Sequence, residues 1–267
     1  MIKTTNINGH DITWEVTGEG YPVFFVHGFG EDKSVWDDFI DPFTGIYQVI
    51  RPDLPGFGDS PAWEGVSISD FAAVIKGIFD ELQLEKCIIV GHSMGGYATL
   101  AFAEQHASLL EGIGLFHSHP YADTEAKKEG RQQGIDFLEK HGAGPFVRQL
   151  VPKLFGEKAR DKFSSTIDKM IQRGIEAGQE GLIEALKAMQ NRPDRSKVLA
   201  KASVPVLFVI GKEDELVPWE YSSNQTPLPK VASIHILEGI GHAGMHEAKA
   251  ETQEMVGSFL EFCLRED

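Results

Sequence analysis

Cysteine is nearly absent from this sequence: Cys87 and Cys263 stand alone among 267 residues, with no metal-ligand spacing around either. Two isolated thiols argue against a disulfide scaffold and fit a reducing compartment, so a cytoplasmic location is expected. Long apolar runs are missing too. The longest, such as residues 205–210, are strand-sized and far short of a membrane span. The stretch MIKTTNINGHDITWEV has no basic region leading into an apolar one, so no secretory signal is expected. Positive charge is in deficit, with 25 Lys and Arg against 40 Asp and Glu and a net charge of −15. That disfavours nucleic acid and anionic membrane as partners and leaves a small-molecule substrate.

The deficit is uneven. Residues 121–195 hold 14 basic against 12 acidic side chains, a balance of +2, whereas the remainder holds 11 against 28, a balance of −17. The middle of the chain is therefore a compositional island. A pocket beneath it would be less hostile to anionic substrates than the net charge implies.

Hydrophobic patterning divides the chain in the same place. Residues 12–16 alternate apolar and polar, as a half-buried strand does, and residues 22–26 form a continuous apolar run, as a strand covered on both faces does. Further strands are predicted at 47–50, 87–90 and 113–116. A helix capped by Ser69 or Asp70 precedes the run at 87–90, and another helix follows Gly95. Alternation of this kind predicts a mostly parallel sheet with helices on both faces. Between about 121 and 191 it stops, and only amphipathic helical patterns occur. Strands resume at 205–210 and 234–237, and a helix over about 248–264 closes the chain. The expected organisation is a core of residues 1–119 and 194–267 with a helical cap, 120–193, inserted over the sheet's C-terminal edge.

One turn carries chemistry. The apolar run at 87–90 leads into GHSMGG, residues 91–96, with helix-forming residues behind it. A turn from strand to helix within three residues strains the serine backbone and demands small neighbours, here Gly91 and Gly95. It lifts the Ser93 hydroxyl clear of packing and sets the Met94 N–H, at a helix N-terminus, beside it. A serine hydroxyl needs a base and an orienting acid. GKEDELVP (211–218) and EGIGH (238–242) each follow a predicted strand, and so reach the same edge.

Here the sequence resembles the α/β-hydrolase superfamily, along essentially its whole length. GHSMGG is similar to the family's nucleophile elbow, GKEDELVP to its acid loop and GIGH to its histidine loop. The resemblance implies Ser93 as nucleophile, His242 as base and Asp214 as acid, with Asp123 in reserve for the acid. HGFG (27–30), with Trp36 downstream, resembles the loop whose backbone completes the oxyanion hole, which implies Phe29 N–H as the partner of Met94 N–H. The turn DLPGFGDS (53–60) also resembles a family turn and reads as structural. Its GxG lacks the third glycine of a dinucleotide fingerprint, so no cofactor is assigned.

Other residues are weighed against this frame. His117 and His119, where the sheet hands over to the cap, and Gly28 and Trp36, near the oxyanion loop, are candidates for pocket lining. His92 is expected to pack beneath the elbow. His242 and His246 stand at a zinc spacing but lack a third ligand at a supporting interval, so no metal is assigned. Serine at the elbow argues against the aspartate chemistry of haloalkane dehalogenases and epoxide hydrolases. The expected activity is carboxylesterase-type hydrolysis of a small or medium ester, thioester or lactone through an acyl-enzyme. The same triad would also serve a carbon–carbon bond hydrolase or a lyase of the menaquinone-pathway type. A ligand-sensing receptor with slow turnover is the alternative of another class.

Overall fold

The computed structural model describes residues 1–265. Eight strands form one sheet: β1 (Ile2–Ile7), β2 (His10–Thr17), β3 (Tyr21–Val26), β4 (Tyr47–Pro52), β5 (Cys87–His92), β6 (Leu110–Phe116), β7 (Val206–Gly211) and β8 (Ala232–Leu237). Their spatial order is β1-β2-β4-β3-β5-β6-β7-β8. Strand β2 runs antiparallel to both neighbours, and from β4 onward every pair is parallel. The central strands are buried along nearly their whole length, which explains their unbroken apolar runs.

Among the described residues, ten α-helices accompany the sheet: α1 (Ile68–Glu81), α2 (Met94–His106), α3 (Glu125–His141), α4 (Ala143–Leu150), α5 (Ser164–Glu176), α6 (Gly178–Gln190), α7 (Ser196–Ala200), α8 (Trp219–Gln225), α9 (Gly244–Glu247) and α10 (Lys249–Cys263). Among the described residues, no helix is long and apolar enough to cross a membrane. Both cysteines are free thiols. Helix α1 starts earlier than Ser69 or Asp70. Its N-cap is Ser67, which accepts from Asp70 N–H, while the Asp70 carboxylate accepts from Ser67 N–H in a capping box. Asp70 is thus the third helical residue, reaching back to the cap.

Strand β1 is absent from the pattern reading, and its composition shows why. IKTTNI is mostly polar, only Ile7 is buried, and the strand lies at the sheet edge. Ile7 packs so closely on α1 that a methyl group at Gly77 would lie 2.6 Å from its Cδ1.

From β3 the chain moves to β4 on one side and then to β5 on the other. The crevice between the ends of β3 and β5 is therefore a topological switch point, where ligands of open α/β sheets bind. The loop after β3 is HGFG and the turn after β5 holds Ser93. Helices α3–α6 are inserted between β6 and β7 and rest on this edge. In α6, Gly181 meets the backbone of Gly56, and a Cβ there would lie 2.0 Å from the Gly56 carbonyl oxygen. Glu184 accepts from Gly65 N–H at 2.8 Å, and Arg173 pairs with Asp32 at 3.0 Å.

Candidate active site

Ser93 has φ 50° and ψ −113°, a left-handed conformation that a non-glycine residue adopts only under constraint. The constraint is packing around the elbow. A Cβ on Gly91 would lie 2.4 Å from the Gly95 carbonyl group, and one on Gly95 would lie 2.4 Å from the Val26 carbonyl oxygen. Only hydrogen fits between strand, turn and helix. Ser118 Oγ donates to the Ser93 carbonyl at 2.7 Å, and Gly96 N–H also bonds it, at 3.0 Å. Met94 is the first residue of α2, so its N–H precedes the helical hydrogen-bond ladder. Phe29 N–H donates to no group among the described residues.

Asp214 and His242 are joined. His242 Nδ1 lies 2.7 Å from Asp214 Oδ2, while Asp214 Oδ1 accepts from the N–H groups of Leu216 and Val217 at 2.8 and 2.9 Å. Burial alone would raise the Asp214 pKa, but the charge of His242 and the hydrogen bonds around the carboxylate outweigh it and hold the group far below the usual carboxylate range. Asp123 is elsewhere, bound to Arg131 and Arg192. Glu215 pairs with Arg160 at 2.7 Å.

Ser93 and His242 share no side-chain hydrogen bond. His242 Nε2 is buried without a partner, and Ser93 Oγ enters no hydrogen bond among the described residues. The two segments are nonetheless adjacent, because His92 Nε2 lies 2.9 Å from the His242 carbonyl oxygen. Nucleophile–base contacts are often long in unliganded enzymes and tighten with substrate.

A second carboxylate–imidazole pair lies beneath the first. His92, expected to pack under the elbow, is fully buried there, with Nδ1 2.8 Å from Glu31 Oε2. The same Glu31 oxygen accepts from Gly28 N–H at 2.7 Å. Burial pushes the Glu31 pKa up, but His92 and the Gly28 N–H overcome it and hold the carboxyl low; His92 is raised in turn by Glu31 against the effect of burial. The pair ties the loop after β3, the turn after β5 and the His242 loop together. Sequence reading does not single out Glu31. Its only signal is its place in the loop HGFGE.

The four residues expected to line the pocket do not line it. The cavity beside Ser93 measures about 280 Å³ and is bordered by Phe29, Tyr97, Phe146, Leu186, Leu216 and Val217 among others. Trp36 is fully buried against Phe25, Phe39 and Phe116. Gly28 lies under the elbow, where a Cβ would meet His92 and Glu31 within 3 Å. His117 is buried beside Asp214, at 3.5 Å, and burial lowers its pKa to about 4, so its ring is neutral. Gly211 N–H donates to its Nδ1 at 3.2 Å. His119 backs the cavity indirectly, its Nε2 3.1 Å from Tyr97 Oη. Sequence pattern places residues at the sheet edge but cannot tell which sink below it.

Asp53 accepts from Lys33 Nζ at 2.6 Å and from the N–H groups of Lys33 and Asp59, and a Cβ on Gly58 would collide with its carboxylate. Ligand atoms of His117, Asp214 and His242 lie within 4.8 Å of one another, the one grouping among the described residues dense enough for a metal ion. An ion there would have to displace the Asp214–His242 bond. His246, at zinc spacing from His242, instead stacks on Phe155.

Residues 23–254 match the model of the alpha/beta hydrolase family, and the chain belongs to that family. Its fold superposes with a TM-score of 0.93 on a thermophilic esterase from Thermogutta terrifontis (malate bound), 26% identical over 99% of this chain and 100% of that one. The chain is also 26% identical to 3-oxoadipate enol-lactonase 1 of Acinetobacter baylyi, over 80% of this chain and 79% of the relative. It is 28% identical to a 2-hydroxy-6-oxononadienedioate/2-hydroxy-6-oxononatrienedioate hydrolase of Cupriavidus pinatubonensis, over 91% and 88%.

Proposed function

We propose that the protein is a serine hydrolase of carboxylic esters or lactones, with Ser93 as nucleophile, His242 as base and Asp214 as orienting acid. The observation that carries this reading is the Asp214–His242 bond beside a serine held at positive φ on the edge of a cavity. The esterase and enol-lactonase relatives support the reaction class. At about 280 Å³, the cavity suits a small acyl or alcohol group.

In the proposed reaction, substrate brings Ser93 Oγ and His242 Nε2 into hydrogen-bond contact. His242 takes the proton as Oγ attacks the carbonyl carbon, and Asp214 stabilises the imidazolium. The N–H groups of Phe29 and Met94 receive the oxyanion, each worth roughly 10²–10³ in rate. Collapse expels the alkoxide, protonated by His242, and leaves an acyl-Ser93 ester. Water attacks this ester with His242 again as base and releases the acid. The cap helices shield the intermediate from bulk water.

Hydrolysis of short p-nitrophenyl esters and of a small lactone, by wild type and Ser93→Ala, tests this. The variant should lose roughly 10³-fold or more in kcat. Ester turnover retained in Ser93→Ala contradicts the assignment. The relative named for a 2-hydroxy-6-oxo-dienedioate favours one second reading, hydrolysis of a carbon–carbon bond on the same triad. It requires turnover of a vinylogous diketone acid and none of the esters.

A further inference from the structure

The cavity beside Ser93 has a charge that the chain as a whole does not. Its polar lining consists of Ser93, Tyr97, Lys127 and Arg131, and no carboxylate borders it. In a chain of net charge −15, two cations and no acid at the nucleophile's own cavity is a selective arrangement.

The hydrogen bonds around it fix what each group can offer. Tyr121 N–H donates to His119 Nδ1 at 3.2 Å, so in this buried ring, whose pKa burial holds well below its ordinary value, the proton sits on Nε2. That Nε2–H donates to Tyr97 Oη at 3.1 Å, which leaves the phenolic hydrogen free as a donor. Lys127 gives one of its three ammonium hydrogens to the Leu216 carbonyl, at 3.1 Å, and keeps the others. Arg131 spends Nε and Nη2 on Asp123 and keeps Nη1. Asp123 cannot neutralise the group, since it also binds Arg192 at 2.8 Å, and Arg192 lies 4.0 Å over the Tyr97 ring. Two guanidinium groups therefore share one carboxylate, and Lys127 has no salt bridge among the described residues. The residues that carry the remaining donors line a cavity whose other walls, including Phe29, Phe146 and Leu186, are apolar.

We propose that this cavity takes a substrate bearing a second, ionised carboxylate, held by Arg131, Lys127 and the Tyr97 hydroxyl. The substrate class is the monoester of a small dicarboxylic acid or a carboxylate-bearing lactone. The proposal deepens the hydrolase reading and rests on it for turnover, while the carboxylate site itself does not depend on Ser93.

Monomethyl glutarate and its neutral counterpart, dimethyl glutarate, separate the two. With full-length Ser93→Ala, calorimetry at low ionic strength should find the monoanion bound at least about tenfold more tightly, as charge-assisted bonds to a planar carboxylate allow. Adding Arg131→Gln or Lys127→Met should remove most of that difference. With active protein, the ratio of kcat/KM for monoanion over diester should fall by about tenfold or more in each variant, and Arg131→Lys should restore part of it. Lys127→Met keeps the Asp123 network intact, so the test survives misfolding of Arg131→Gln. Equal binding of the two esters, or a ratio unmoved by either variant, overturns the carboxylate site and leaves the hydrolase reading standing. Binding of the monoanion that depends on Arg131, with no ester hydrolysed, upholds the site and overturns the hydrolase reading.

Discussion

Burying a carboxylate costs several kcal/mol unless its charge is met, and Glu31 meets its charge through His92 and the Gly28 N–H. The pH dependence of stability follows. A carboxyl group whose pKa is lower in the folded chain adds stability that is complete above its unfolded value, about 4.3, and is lost as pH falls through the folded one. His92, raised by Glu31, adds stability that is complete below about 6.5 and is lost as pH rises through its folded value. Glu31→Gln removes the Glu31 contribution and leaves His92 chiefly with the burial that lowers its pKa. The variant's urea midpoint should therefore fall relative to that of wild type as pH drops from 7 to 5, where the buried neutral ring resists charging, and midpoints that run parallel would show that the buried pair is not ionised. Ser93, Asp214 and His242 each sit in a short motif whose spacing is local, so the sequence offers them as candidates. It does not offer Glu31 or Tyr97. Glu31 reaches His92 across 61 residues, and Tyr97 acquires its role from His119 across 22. Neither separation leaves a pattern in the chain.

At the scale of elements, the strand–turn–helix unit of β5 and α2 carries the strain of Ser93. Gly91 and Gly95 are the exacting glycines, because an added Cβ at either would meet backbone, whereas at Gly96 it would first meet the Ser118 side chain. Gly95→Ala should cost about 1–3 kcal/mol in chemical denaturation and disturb the spacing between the N–H groups of Phe29 and Met94, the proposed oxyanion donors. A variant with wild-type stability and turnover would mean that the elbow relaxes freely. The buried parallel strands were readable because a strand covered on both faces has no polar face to interrupt it. Strand β1 was not, since an edge strand with one buried residue has the composition of a loop. Helix periodicity located α1, but its start was misplaced by two residues or more. Ser67, Ser69 and Asp70 are all capping residue types, and only the reciprocal bonds distinguish them.

Across the whole molecule, the segment between β6 and β7 is joined to the rest of the chain at the loop that carries His242. The His242 N–H donates to the Leu154 carbonyl at 2.7 Å, and Glu247 accepts from Gly156, Gly241 and Ala243. Residues of the inserted segment thus help fix the loop that carries His242. The stretch where strand–helix alternation stops and the charge balance changes holds helices α3–α6. Which of its side chains line the cavity was not legible, because Lys127 and Arg131 share their helix with basic residues that face solvent. The fold brings three loops and one turn to a single edge, and the account stands on what happens there. Intact-mass and peptide mapping after reaction with a fluorophosphonate measures it most directly. One adduct is predicted, on Ser93, formed in wild type and lost in Ser93→Ala, with its rate strongly reduced in His242→Ala. An adduct on another residue, or a Ser93 that stays unmodified while esters are still hydrolysed, would contradict it.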